Sequence, residues 1–390
     1  MKICAIIAEY NPFHLGHLKH LQYIKRELHA EKIIVLMSGN FTQRGEPAVM
    51  DKFTRARHAI LSGADMVIEL PTPFATANAE TFAKGAIKII NGLNVVDGVC
   101  FGIESGEKED YISLANALNN ESKEFKKILK EKLDGGVSLA KAKFETVKEL
   151  GGTYNEELIS SPNNILGLEY TKAILKAQSG IGIYPMIRTG AHNDDTLKKG
   201  ETSATSIRKV LKSGKFKKLK GNLPACTYND LCPYPFGYDK IATAKIITSS
   251  SDFMKTLPDC TEGLENRIKA LCKDNLNLGE LIDKATTKRY TSSRIKRIIL
   301  SNLLEIDSKL VKDCLESPLY AKVLAVKGDS KDLISLLSEK SEYPLITRKS
   351  DTTYLKKTAK LCFEKDVLAS DMYNLITDQK LNENQMLIID

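Results

Sequence analysis

The chain has 390 residues, 42% hydrophobic and 27% charged, with 24 glycines and 12 prolines. This length exceeds one ordinary compact core, and the composition excludes low-complexity, collagen-like and largely disordered classes. No apolar run approaches the roughly 18–20 residues that cross a bilayer, and Glu9 cuts short the apolar start, so a cytoplasmic protein with no membrane partner is predicted. Eight cysteines are scattered without a Cys-x-x-Cys pair, which predicts reduced thiols and no metal site.

Strand and helix signals alternate through the first half. Residues 2–8 form a β-rich apolar run, and a helical pattern follows from about His14 to Leu28. Residues 32–37 read as a second buried strand. A polar loop, Gly39-Asn40-Phe41-Thr42-Gln43-Arg44-Gly45-Glu46-Pro47, leads to a helix ending near Leu61. Residues 65–70 are a third strand, 78–90 a helix, 95–101 a fourth strand, and 181–187 a fifth after a mostly helical stretch. Short apolar strands separated by helices are the signature of a parallel sheet covered on both faces. The predicted fold is therefore α/β, a Rossmann-like doubly wound parallel sheet over residues 1–220. Residues 221–239, rich in proline, are predicted to be a linker. Helical spacing at 275–285, 292–304 and 331–337 predicts a mainly helical domain over residues 240–390.

The net charge of +8 is unevenly placed: residues 1–200 hold 25 basic and 24 acidic side chains, and residues 201–390 hold 32 and 25. Two acid-free clusters account for much of this. One comprises Arg208, Lys209, Lys212, Lys215, Lys217, Lys218 and Lys220, the other Lys284, Lys288, Arg289, Arg294, Lys296 and Arg297. A charge run alone is commonly a solvated helix face. Two of them beside a phosphate motif point to a polyanionic partner, with RNA the leading class.

That motif is His14-Leu15-Gly16-His17, where the first strand feeds the first helix. Two imidazoles three residues apart share one helix face and can hydrogen-bond phosphate oxygens, while the free N–H groups of the first turn add positive partial charge. Gly16 is expected to remove a side chain that would block the phosphates. A second piece, Thr202-Ser203-Ala204-Thr205-Ser206-Ile207-Arg208, opens another helix. Ser206 and Arg208 are candidates for the outer phosphates, although a plain N-cap followed by a basic helix gives the same pattern.

Together the two pieces resemble the nucleotidyltransferases with a His-x-Gly-His motif and a Ser/Thr-x-x-Ile-Arg motif. The segments Asn11-Pro12-Phe13-His14-Leu15-Gly16-His17, Gly39 to Pro47, Asp65 to Pro71, Ser161-Pro162-Asn163-Asn164-Ile165-Leu166-Gly167, Ser203 to Arg208, Glu262 to Arg267 and Lys288 to Arg297 narrow the likeness. They resemble the bacterial tRNA(Met) cytidine acetate ligase family, over most of the chain. The resemblance implies ATP contacts from Ile7, Ala8, Glu9, Tyr10, Asn11, Pro12, Phe13, His14, Leu15, Gly16, His17, Leu18, Lys19 and His20, and from Gly102, Asn163 and Arg188. It also implies acetate and elongator tRNA(Met) as substrates, by way of acetyl-AMP.

On that reading His14 and His17 are the catalytic candidates, with Mg²⁺ held mainly by the phosphates and no metal ligands from the protein. Arg44 suits the acetate carboxylate, the nucleotide or a loop salt bridge. Lys288, Arg289, Tyr290, Arg294, Lys296 and Arg297 combine cations with an aromatic ring, as an RNA surface does. No stable protein partner is expected. A nucleotidyltransferase for a small cofactor precursor, and a non-catalytic RNA-binding protein with a relic site, remain open alternatives.

Overall fold

Strand β1 (Ile3–Ala8) runs through the centre of the molecule with four buried side chains in succession, as expected of a strand covered on both faces. It feeds helix α1 (Leu15–Arg26), followed by β2 (Lys32–Ser38), α2 (Lys52–Leu61), β3 (Met66–Leu70), β4 (Gly98–Ile103) and β5 (Gly182–Ile187). These five strands are mutually parallel, in the order β5-β4-β1-β2-β3. The computed structural model describes all residues except 137–138, 153, 160, 189–202, 236 and 275–276. Thr202 of the second motif and the start of the helix expected at 275 lie outside the described residues.

Since β1 lies between β2 and β4, the chain reverses its direction of winding there, and a crevice opens beyond the carboxyl ends of β1 and β4. One face of the sheet is covered by helices that include Ala79–Gly92 and Pro162–Ala177, the other by α1 and α2.

The expected helical second domain meets a difference. Helices from Tyr238–Thr248 to Ser308–Glu316 do build a core around Ile246, Leu281, Ile298 and Leu303. The chain then returns to the first sheet. Strand β6 (Ala321–Lys327) pairs antiparallel with β3, and β7 (Leu345–Ile346) and β8 (Leu387–Ile389) pair with β6. Six of the seven residues of β6 are buried. Its apolar run satisfies its backbone on a sheet edge formed more than 250 residues earlier, a pairing that local periodicity does not report.

The stretch expected to be an exposed linker also packs. Leu223, Tyr228, Leu231, Cys232 and Tyr234 lie against Val49, Met50, Ile207 and Leu211. Asp230 accepts from His58 Nε2 at 2.7 Å and pairs with Arg57.

A buried ionic cluster fastens the returning strands. Lys52 Nζ donates to Glu69 Oε1 at 2.8 Å and to Glu383 Oε1 at 2.6 Å, and Lys322 Nζ lies 3.0 Å from Glu69 Oε2 and pairs with Glu383. These residues come from the start of α2, from β3, from β6 and from the segment before β8.

Candidate active site

The turn after β1 is held rigid by groups distant in sequence. Arg55 on α2 is fully buried and donates to the carbonyl oxygens of Met50, Glu9, Ser38 and Gly39, tying the ends of β1 and β2 to the loop between β2 and α2. Asn11 Oδ1 accepts from Val49 N at 2.8 Å, and Glu9 Oε1 accepts from Gln43 N at 2.8 Å. Tyr10 and Phe13 point into the core, so the range 7–20 offers a nucleotide backbone and ring edges rather than these two side chains.

On this frame His14 is the N-cap of α1. Its Nδ1 accepts from Gly16 N at 3.0 Å, while His17 Nδ1 accepts from His14 N at 3.3 Å. A ring nitrogen that accepts a hydrogen bond carries no proton, so the proton of each neutral ring is on Nε2. The rings stack with centroids 3.7 Å apart. Burial, then the neighbouring His14, Arg188 and His20, push the His17 pKa well below its ordinary value, and burial with Arg188 lowers His20 to about 4. The site therefore presents neutral N–H donors at a helix N-terminus, an arrangement for anionic oxygens.

Gly16 has a role inside the turn itself. A Cβ there would stand 2.8 Å from His14 Cε1 and 3.0 Å from its Nδ1, so glycine makes room for the His14 ring to fold over the first turn. Gly102, on β4, likewise yields space to the Arg188 side chain, whose Cδ and Cγ would lie 2.9 Å from a Cβ. Asn163, in the first turn of the helix Pro162–Ala177, donates from Nδ2 to Glu104 Oε1 at 2.7 Å. Gly102, Asn163 and Arg188 thus meet at the end of β4, beside the histidine turn.

Glu104 carries no motif that marks it in the sequence. Its Oε2 is buried and has no hydrogen-bond partner among the described residues. A buried carboxylate oxygen left open is costly unless a ligand donor completes it. Its position immediately after β4 is the one available sequence signal.

In the second motif Ser203 caps the helix Ala204–Lys212. The Ser206 hydroxyl donates to Ser203 O at 2.9 Å, and Arg208 Nη1 donates to Asn11 O at 2.8 Å. Arg208 thereby joins this helix to the histidine turn. Arg44 is exposed, makes no ion pair among the described residues, and lies close enough to Arg208 to lower its pKa, although burial contributes more. The donors around the turn are imidazole and guanidinium N–H groups. They suit phosphate oxygens, and a magnesium ion would then be held by the anion.

The six residues read as an RNA surface differ among themselves. Arg289 and the Tyr290 hydroxyl meet Glu262, and the Arg294 guanidinium lies 5.1 Å from the Tyr290 ring centre. Arg294 Nε also donates to Asp259 O at 2.9 Å. Lys296 pairs with Glu46 and Arg297 with Asp259, so these two are tied inward. Lys288 and Arg289 remain exposed.

A doubly wound sheet with a His-x-Gly-His turn at its switch point defines a nucleotidyltransferase-type protein. The model described as HIGH Nucleotidyl Transferase matches residues 1–386, and the chain belongs to that family, among its tRNA(Met) cytidine acetate ligases. A tRNA(Met) cytidine acetate ligase of Caldanaerobacter subterraneus subsp. tengcongensis is 36% identical over 384 residues, covering 96% of this chain and 95% of the other. The Clostridium novyi protein of the same name is 36% identical over 395 residues, covering 96% of each. The crystal structure of apo Thermotoga maritima TmcAL superposes with a TM-score of 0.94 at 29% identity, covering 100% of both chains. The form bound with alpha-thio ATP superposes with a TM-score of 0.91 at 29% identity, again over 100% of both chains. Among the described residues no helix is long and apolar enough to cross a membrane.

Proposed function

We propose that this chain is a cytoplasmic ATP-dependent acetate ligase that acetylates N4 of the wobble cytidine of elongator tRNA(Met). The observation that carries this reading is the pair of neutral imidazoles, His14 and His17, clamped by backbone N–H groups so that each carries its proton on Nε2 at the mouth of a helix N-terminus. The names of the relatives support the substrate assignment.

Acetate has no leaving group and cytosine N4 is a weak nucleophile, so the carboxylate requires activation. A carboxylate oxygen attacks the α-phosphorus of ATP, the bond to the bridging oxygen breaks, and pyrophosphate leaves with the electron pair. N4 then attacks the acetyl carbonyl carbon, the mixed-anhydride C–O bond breaks, AMP leaves and N4 releases a proton. His14 and His17 stabilise charge developing on the α-phosphate and pyrophosphate. Arg208 and the turn at Ser203–Ser206 lie toward the outer phosphates, and Arg188 toward the nucleotide. Glu104 Oε2 accepts a ribose hydroxyl. A Mg²⁺ ion, when bound with the nucleotide, would add charge neutralisation at the phosphates, with no ligand assigned from the protein. No covalent nucleophile is needed: the pKa of Cys100, beside His20, is raised by burial and the thiol stays protonated.

The direct test is ATP–pyrophosphate exchange with a panel of carboxylates, with and without tRNA. Acetate should support exchange, and acetyl should then appear only on a single-stranded loop cytosine, because a base-paired N4 cannot attack. Equal acetylation of duplex cytosines would contradict the substrate.

Because burial and neighbouring cations depress His17 and His20 below their ordinary 6.5, both rings remain neutral as the pH falls from 7.5 to 5.5. Neither ring is therefore expected to titrate in that range, and exchange at saturating substrates should show no inflection from them. A loss of kcat with a midpoint near 6.5 would show that the donors protonate in use.

The surface Lys288, Arg289, Tyr290 and Arg294 is proposed to hold tRNA phosphates, with Lys296 and Arg297 shaping it from beneath. Replacing Lys288, Arg289 and Arg294 by alanine should weaken tRNA binding and reduce its salt slope by about one for each phosphate no longer neutralised. Exchange should be unaffected. Unchanged affinity and slope would reduce the cluster to a solvated face.

A further inference from the structure

A cavity of about 250 Å³ lies between the loop Gly45 to Pro47, residues Tyr234, Pro235, Tyr238 and Asp239, and the helices Leu278–Ala285 and Ser292–Leu304. No histidine lines it, so it does not include the turn at His14. It is nevertheless coupled to that turn. Glu46 and Tyr234 on its wall lie within electrostatic reach of Arg208, which hydrogen-bonds Asn11. The loop that forms its floor bonds Glu9 through Gln43 N and Asn11 through Val49 N. Gly45, at φ +76°, lets this loop press against the helix Ser292–Leu304, where a Cβ would stand 2.6 Å from the Lys296 carbonyl carbon.

The lining has the chemistry of a base pocket. Tyr234 and Tyr238 put aromatic rings in the lining, and the Lys212 ammonium sits 4.7 Å from the Tyr234 ring centre. Asp239 and Glu46, the latter already paired with Lys296, provide acceptors, while Lys212 provides a donor. A cytosine carries both complements, an amino donor at N4 and acceptors at N3 and O2. The volume is below the ~300–1,000 Å³ of drug-sized ligand sites and suits a single small ring system.

The surroundings add a second, independent observation. Lys212 on one wall opens onto Lys215, Lys217, Lys218 and Lys220, all exposed and without an ion pair among the described residues. The opposite wall belongs to the helix whose approach carries Lys288, Arg289 and Arg294. The cavity therefore lies between the two basic clusters, and an RNA strand held by both would cross its mouth.

We propose that this cavity is the acceptor-base subsite: a pyrimidine turned out of a single-stranded RNA loop lies against the Tyr234 and Tyr238 rings with its exocyclic amine at the Glu46 end, the end nearest Arg208 and the turn that Arg208 braces, while the flanking lysines hold the adjoining phosphates. Enzymes that modify a base take it out of its stack into a pocket, and stacking on aromatic side chains offsets the cost. The inference rests on the tRNA-acetylating function proposed above and names where its acceptor sits.

Two experiments test it. Ser292, half-buried on the cavity wall, is the first residue of its helix, and the cap belongs to Thr291, so Ser292→Phe fills the cavity without removing the cap. This variant is expected to lose at least about tenfold in kcat/KM for tRNA acetylation, the scale of one base stack, with acetate-dependent pyrophosphate exchange within about twofold of the parent. Wild-type acetylation by the folded variant, or equal loss of both activities, overturns the assignment. The second experiment uses the unaltered protein and a tRNA transcript with 4-thiouridine at the wobble position. Photocrosslinks to Tyr234 or Tyr238 support the subsite, and crosslinks confined to other residues overturn it. Exchange without acetylation of tRNA by the parent protein would instead count against the underlying function.

Discussion

Replacing His14 or His17 by alanine is expected to slow acetate-dependent pyrophosphate exchange by about 10²-fold or more, the usual cost of removing a donor aimed at developing charge. For His14 a second variant separates chemistry from folding. His14 also caps α1 by accepting from Gly16 N at 3.0 Å, so alanine costs the helix its cap as well as the reaction its donor. Asparagine is a good N-cap residue and keeps an acceptor there, but it cannot place a donor where Nε2–H stands. Exchange should therefore be lost in His14→Asn as in His14→Ala, while only the alanine variant loses about 1 kcal/mol of stability from the cap. Binding of tRNA should survive in both, because the surface proposed for the RNA phosphates is the basic clusters. Parental exchange rates in folded His14→Asn and His17→Ala proteins would remove these rings from the mechanism.

Replacing Lys52 by alanine is expected to destabilise the fold by roughly 3–5 kcal/mol, the range for breaking a buried ion pair from one side. Lys52 is fully buried, and it bridges Glu69 and Glu383 at 2.8 and 2.6 Å. Its removal leaves those two carboxylates with Lys322 as their sole cation in the cluster. The Lys322 pKa is already pushed down to about 8, by burial against the pull of Glu69, so that lysine is a poor substitute. Equilibrium urea unfolding measures the effect, and a double-mutant cycle with Glu383→Gln should recover part of the loss, since the partners are in direct contact. A loss below about 1 kcal/mol for Lys52→Ala would mean that the cluster is hydrated, as surface pairs are.

This cluster also explains why the end of the chain adds strands to the mainly helical domain that its local pattern predicts. The run Ala321–Lys327 looks like a strand in isolation, but nothing local says which sheet it joins. The lysine inside it becomes intelligible only when Glu69 of β3 is placed opposite. The basic clusters pose the same problem. Residues 284–297 contain no acid, yet Glu262, Asp259 and Glu46 reach them from elsewhere in the chain and tie down three of the six RNA candidates by salt bridges. Charge counted along a sequence cannot anticipate pairs made across the fold.

The sequence by itself determined the parallel sheet at residues 1–188, the helix starting at the histidine turn, and the two imidazoles placed there. These features are set by local quantities: strand and helix periodicity, capping residues, and a motif whose members lie within one helical turn. Tertiary structure alone decided the protonation pattern of those imidazoles, because the tautomer follows from backbone N–H groups and the depressed pKa from burial among Arg188 and His20. It also decided that Arg208 braces the turn through Asn11, that Glu104 keeps an open carboxylate oxygen, and that a cavity lies between the two basic clusters. Each of these depends on residues brought together over tens to hundreds of positions. Burial and distance, which set their energies, do not exist until the chain has folded.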